Sequence, residues 1–220
     1  LGHSHPRVVQ AIVDQVRKLT TASFNMVSYP TTLELAKRIA AIAPGELSNI
    51  YFSNGGAEAT DGAIKLARVY TKRPGVIAFK GSFHGRTMGA ISVTASNSKY
   101  RRLIEPLVGG IHFATYPSVD QCPKGYDEEQ RSAWCLQDVQ RIFDFICAPD
   151  ETAAILVDPV QGGGGYVVPP ASFLRGLRAM CDRYGILLIF DEIQAGYGRT
   201  GTMFASEPFG LVPDLLTLGQ

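Results

Sequence analysis

The sequence has almost no excess charge of either sign. Its 21 lysines and arginines nearly match its 20 aspartates and glutamates, leaving a formal net charge of +1 and a pI near 7.8. That balance gives no electrostatic case for nucleic acid or for an anionic membrane surface. Long apolar runs are also missing, and none approaches the roughly 20 residues needed to cross a bilayer. No segment joins a basic start, an apolar middle and a small-residue cleavage site, so export is unsupported. Cysteine is scarce and scattered: Cys122, Cys135, Cys147 and Cys181 form no CxxC pair. Such usage suits buried, reduced thiols in a cytoplasmic setting rather than a disulfide framework or a metal site. His3 and His5 stand two apart in a proline-containing loop, but no third ligand or acidic partner accompanies them.

What is present suits an ordinary globular domain, or one domain plus a fragment: 220 residues, 45% hydrophobic and 19% charged. Helical and strand patterns alternate along it, which predicts an α/β fold with a mainly parallel sheet flanked by helices. Helices are expected from Pro6 through Leu19, over 32–42, 57–70, 134–146 and 171–184. Short apolar runs predict strands at 50–52, 76–79, 110–114, 153–157, 187–190 and 215–218. The polar stretch 116–130 reads as a surface excursion. The chain opens in a loop-like Leu1–Pro6 and closes at Gln220 directly after an apolar run, so it is expected to be an interior piece of a longer protein.

Chemistry concentrates where strands end. Leu187-Leu188-Ile189-Phe190 reads as a strand buried on both faces, and it runs straight into Asp191-Glu192. In open α/β sheets ligands sit beyond the carboxyl ends of strands, so Asp191 points at a site. A buried carboxylate needs a partner, and a protonated ring nitrogen is one suitable group; capping the next turn is the simpler alternative. Ser53-Asn54-Gly55-Gly56-Ala57-Glu58-Ala59 joins a strand to a helix through small residues. It is either a tight turn or an anion cup formed by backbone N–H groups at a helix N-terminus. It is neither a Walker A loop nor a GxGxxG fingerprint, so nucleotide binding gains no support. Phe83-His84-Gly85-Arg86 offers a stacking surface and a carboxylate fork, unless the Phe is tucked into the core. The glycine-dense loops 161–166 and 194–201 suit close backbone approach to a ligand or partner, or simple surface flexibility.

Taken together, these motifs resemble the class III pyridoxal-phosphate aminotransferases. The likeness rests on Leu1-Gly2-His3-Ser4-His5-Pro6, Asn54-Gly55-Gly56-Ala57-Glu58-Ala59, Phe83-His84-Gly85-Arg86-Thr87, Asp158-Pro159-Val160-Gln161-Gly162, Asp191-Glu192-Ile193-Gln194, Gly198-Arg199-Thr200-Gly201 and Pro213-Asp214-Leu215-Leu216-Thr217-Leu218-Gly219. It covers essentially the whole chain and is nearest in flavour to the 4-aminobutyrate and ω-amino-acid aminotransferases. The resemblance implies an incomplete fold type I large domain at 31–220, preceded by part of an N-terminal segment at 1–30, in a cytoplasmic homodimer. It implies pyridoxal 5'-phosphate as cofactor, with an amine or ω-amino acid as donor and a 2-oxo acid as acceptor. Gly56 and Ala57 would hold the phosphate, with Phe83 and Ile193 on the two ring faces. Asp191 would meet the ring nitrogen and Gln194 the phenolic oxygen, with His84 and Asp158 also at the cofactor. Arg86 would take a substrate carboxylate. Decarboxylation, aminomutation and racemisation on the same scaffold are the alternatives.

Three positions depart from that pattern. Gln220 stands in the register of the family's lysine, and an amide cannot take the covalent and proton-carrying roles of an amine. An engineered trap, an artefact at a cut end, a natural non-catalytic homologue and a shifted register are the competing explanations, and this piece alone is expected to be inactive. Gly163 stands where many ω-aminotransferases carry a glutamate. Asp158 replaces a usual glutamate, one methylene shorter.

Overall fold

The computed structural model describes residues 2–24 and 26–219. The chain divides into two compact units, one running up to Ala43 and including Ser48–Ile50, the other made of Pro44–Leu47 and everything from Tyr51 on.

The first unit holds helices α1 (Pro6–Val16) and α2 (Pro30–Ile42). Each begins on a proline, whose fixed φ and missing N–H suit a first helical turn. The apolar pattern of α1 extends to Leu19, but the helix stops at Val16 and Leu19 N–H instead bonds back to the Gln15 carbonyl in a closing turn. Val9, Ile12 and Val16 of α1 are exposed. A shallow concavity of about 690 Å³ along this helix carries no cluster of chemically reactive groups.

The second unit is built on five parallel strands: β1 (Gly75–Phe79), β2 (Ile111–Ala114), β3 (Thr152–Val157), β4 (Leu187–Asp191) and β5 (Leu215–Thr217), in the order β2-β1-β3-β4-β5. Every residue of β1 and β3 is buried, the mark of a sheet covered on both faces. Helices α3 (Gly56–Thr71) and α4 (Met88–Val93) lie on one face, and α5 (Glu128–Phe145) and α6 (Ala171–Tyr184) on the other. Side chains alternate along the strands except at Ala153-Ala154 near the start of β3, so Ile77, Ile155 and Leu188 face α5 and α6, while Val76, Ala154 and Ile189 face α3. Small residues let α3 approach closely, since Ala63 and Ala67 pack against Ala78, Ala153 and Ala154. α6 stops at Gly185, which takes the left-handed conformation that favours glycine, φ 62°.

Two further expectations needed correction, and one helix was not foreseen. Residues 50–52 form no strand: Tyr51 is 80% exposed, and no described strand lies alongside to pair with it. α5 starts at Glu128, inside the stretch read as a surface excursion, because Asp127 and Gln130 make a capping box over an otherwise polar first turn. α4 had no periodic signal, being one and a half turns of small and apolar residues, yet Ala90, Ile91, Ser92 and Val93 are all buried.

The α5/α6 side of the core centres on three aromatic rings meeting edge to face. Phe173 lies 5.5 Å from Phe79 and 5.7 Å from Tyr116, and all three are fully buried. Replacing Phe173 with Ala should therefore cost about 3–5 kcal/mol of unfolding free energy, the usual loss for truncating a core aromatic. Urea denaturation checks this; a change below about 1 kcal/mol would mean that the ring is not part of a tightly packed core.

Candidate active site

In this strand order the direction of winding reverses between β1 and β3, and doubly wound sheets open a crevice beyond the strand ends at such a point. A cavity of about 750 Å³ lies there. Gly56, Ala57, Phe83, His84, Arg86, Asp158, Asp191, Ile193 and Gln194 all line it, so every site residue singled out in the sequence is gathered in one place except Gln220, which lies outside the described residues.

The floor is charged and buried. Asp191, 4% exposed at the end of β4, uses both oxygens: Oδ2 lies 2.6 Å from His84 Nδ1, and Oδ1 accepts from Ile193 N–H at 3.0 Å. Turn capping and site chemistry are thus combined in one carboxylate. Each oxygen still has a lone pair for a further donor. His84 is held from its own backbone: its N–H donates to Thr94 Oγ1 at 2.9 Å, and that hydroxyl closes α4 onto the carbonyls of Ala90 and Gly85. On the far side of the imidazole, His84 Nε2 lies 3.9 Å from Asp158 Oδ2, and among the described residues neither atom has a hydrogen-bond partner.

This cluster perturbs its own titration. Burial raises the Asp158 carboxyl, His84 pulls it back down, and nearby Asp191 raises it again, leaving it at about 6. Burial alone would lower His84, but Asp158 and the bond to Asp191 outweigh it and hold the imidazole above its ordinary value. Ligand atoms of His84, Asp158 and Asp191 lie within 4.8 Å of one another, so the cluster suits a cation, whether a metal ion or a protonated ring.

Around the floor, backbone does much of the shaping. The N-terminus of α3 carries no side-chain cap at Gly55, which leaves its first-turn N–H groups available to an anion. A Cβ on Gly56 would come 2.7 Å from Ile193 Cγ2, so only glycine lets Ile193 sit against that turn. In the loop after β3, a Cβ on Gly162 would strike the Gln194 side chain and one on Gly164 that of Gln161, so part of the glycine density serves the protein's own side chains. Gln161 Nε2 donates to the Lys80 carbonyl and to Ser82 Oγ, both at 3.0 Å. Glu192 accepts from Ala205 N–H at 2.7 Å and Ser206 N–H at 2.9 Å, anchoring the following loop. Arg86 lies at the exposed rim with its guanidinium carbon 5.8 Å from the Phe83 ring centroid and 4.9 Å from that of Tyr100. The sequence reading missed Thr94, Lys99 and Tyr100; the Ser98–Tyr100 helical turn lies in a stretch with no strand end to signal it.

A parallel sheet that reverses its winding at a crevice beyond the strand ends defines an α/β protein of the doubly wound kind. The aminotransferase class-III family model matches residues 1–220, and the chain belongs to that family. It is 40% identical over its whole length to a probable 4-aminobutyrate aminotransferase of Bacillus subtilis, of which it covers 51%, and 42% identical to the 5-aminovalerate aminotransferase DavT of Pseudomonas aeruginosa, of which it covers 50%. Among solved structures, an (S)-enantioselective omega-transaminase from Thermomicrobium roseum superposes with a TM-score of 0.92 at 33% identity, over 98% of this chain and 49% of that one. An amine transaminase from an uncultivated Pseudomonas species, in its PLP-bound form, gives 0.91 at 33% identity, over 98% of this chain and 50% of that one. The chain spans about half the length of the curated relatives it matches.

Because the folded state binds the Asp158 proton more tightly than the unfolded chain, this group's contribution to stability is fully present below the ordinary value of 3.8 and is lost as pH rises through about 6. Asp158→Asn removes that dependence. Its unfolding free energy relative to the parent should rise by about 2 kcal/mol between pH 4 and pH 6. Denaturation at a series of pH values measures the difference, and a flat difference would mean that Asp158 ionises in the folded protein as it does in water.

Proposed function

We propose that this chain supplies the cofactor-holding half of an aminotransferase that moves an amino group from an amine or ω-amino acid to a 2-oxo acid with pyridoxal 5'-phosphate. The observation that carries the reading is Asp191: a buried carboxylate at a strand end, fixed by His84 and Ile193 N–H, with acceptor capacity left facing a cavity of cofactor size. The unpartnered His84 Nε2 and Asp158 Oδ2 beneath it fit a site completed by a positively charged ring. When bound, pyridoxal phosphate supplies the electron sink for the pair left when a substrate carbon loses a proton.

The protein's own groups divide the remaining work. N–H groups of Gly56 and Ala57 at the start of α3 would hold the phosphate. Asp191 would keep the ring nitrogen protonated, and the imidazole bonded to it stops the carboxylate from turning away. Phe83 and Ile193 would bracket the ring plane, Gln194 would donate to the phenolic oxygen, and Arg86 would receive a substrate carboxylate. Gln220, in the register of the family lysine, has no basic nitrogen with which to move a proton, so this chain by itself is expected not to turn over. Assigning 1–30 to an N-terminal segment and 31–220 to the cofactor domain belongs to the same reading. So does a homodimer in the cytoplasm, a setting that suits the four buried free thiols.

The test uses the full-length protein that carries this chain with lysine restored at the family position (Gln220→Lys), which serves as the parent. With 4-aminobutyrate or 5-aminovalerate as donor and 2-oxoglutarate as acceptor, amino transfer is expected. Asp191→Asn should lower kcat/KM about 100-fold or more, since breaking a buried charged pair costs roughly 3–5 kcal/mol. Parent-like turnover by the Asn variant would remove the role given to Asp191, and a parent protein that binds pyridoxal phosphate but transfers no amino group would end the aminotransferase reading.

A further inference from the structure

Outside the cavity, the reactive side chains that meet most closely are thiols. Cys122, in the polar loop after β2, and Cys135, on α5, bring their Sγ atoms to 3.6 Å of each other. All four cysteines are free and buried, yet among the described residues only these two sulfurs touch. Cys147 instead turns its sulfur to Thr152 Oγ1 at 3.4 Å, and Cys181 packs into the core from α6.

The two members of the pair are not equivalent. Cys135 is fully buried on a helix, whereas Cys122 is 8% exposed, with exposed Val119, Asp120, Pro123 and Lys124 on either side of it. A small reagent from solvent therefore meets Cys122 first, with Cys135 directly behind it. Closing a disulfide would shorten the sulfur separation to about 2.05 Å. The loop can supply that movement of about 1.5 Å, because Cys122 belongs to no helix or strand. Burial pushes both thiols above their ordinary value, while the Arg131 guanidinium pulls back on each. Exchange at this pair is therefore slow and calls for an oxidant in excess.

We propose that Cys122 and Cys135 form an oxidative modification site for low-molecular-weight disulfides such as oxidised glutathione. The Cys122 thiolate attacks one sulfur of the reagent and expels one glutathione thiolate, leaving a mixed disulfide. The Cys135 thiolate then attacks the Cys122 sulfur and expels the second glutathione. Two protein thiols are oxidised, one reagent disulfide is reduced, and the two protons the cysteines release end on the two glutathione thiols. The new bond pins the loop between β2 and α5 to that helix. It forms beside Tyr116, whose hydroxyl supports the Asp158 carbonyl at the cavity floor. The site is independent of the amino-transfer reading.

The test incubates the folded, full-length protein with excess oxidised glutathione, then caps the remaining thiols with N-ethylmaleimide in urea. Trypsin cuts after Lys124 and Arg131, so the two cysteines leave on separate peptides. Mass spectrometry should show both capped peptides lost and a linked pair gained, two hydrogen atoms lighter than the sum of the reduced peptides. Cys147 and Cys181 should remain capped, and dithiothreitol should restore the free thiols. Cys135→Ser should stop at a glutathione adduct on Cys122, and in Cys122→Ser the Cys135 thiol should stay free. Capped Cys122 and Cys135 in the treated parent would overturn the proposal. So would a parent that stops at the Cys122 adduct, since the two sulfurs would then be unable to close. Linkage of either cysteine mainly to another thiol would overturn it as well.

Discussion

A contact of 2.6 Å between His84 Nδ1 and Asp191 Oδ2 joins the loop after β1 to the end of β4, two strands away across β3. Both groups are buried, and a buried ionic pair is tolerable only when each partner stays in place. Much of the local architecture keeps them there. Thr94 ties His84 to the end of α4, while the turn into Ile193 fixes the second oxygen of Asp191. Tyr116, in the aromatic cluster beneath, donates its hydroxyl to the Asp158 carbonyl at 3.0 Å, so core packing and the cavity floor share a residue.

The cluster is unevenly satisfied. Three ionisable groups cluster together, and only one of the two gaps beside the imidazole is closed by a hydrogen bond. The open gap, between His84 and Asp158, leaves two buried polar atoms without partners, a costly arrangement in a low-dielectric interior. A carboxyl raised to about 6 is the fold's response, since taking up a proton lowers the charge it must bury. A cation at the floor would lower the same cost from the other side. The floor is thus charged in a way that favours a positively charged ligand group there, while the rim carries the opposite sign.

The second constraint is steric. Gly56, Gly162 and Gly164 are positions where a Cβ would strike Ile193, Gln194 or Gln161, side chains that form the cavity wall or brace it. A glycine-rich loop in such a place is a packing solution as much as a flexible segment. Alanine plays the same role between α3 and the sheet, letting that helix approach closely enough to set its N-terminus at the cavity mouth.

Local sequence determined the elements whose signals are local. The apolar runs of β1, β3 and β4, the proline start of α1, and the glycine stop of α6 could each be read within a few residues. Phe83, His84, Asp158 and Asp191 could be read too, because strand ends in an open parallel sheet all face one edge, whereas Gly56 and Ala57 follow no strand. Local sequence misled where the deciding partner lay far away. Ile50-Tyr51-Phe52 has strand-forming residues but no paired neighbour, and α4 is held by burial rather than by periodicity. Nothing near Asp191 in the chain announces His84, 107 residues earlier, and nothing near Lys99 announces that it shares a ring with Arg86. Composition and pattern carry the burial tendency of each residue, which is a property of its side chain. Which charges meet, and across what gap, depends on strand order and sheet register, and only the packed tertiary structure sets those.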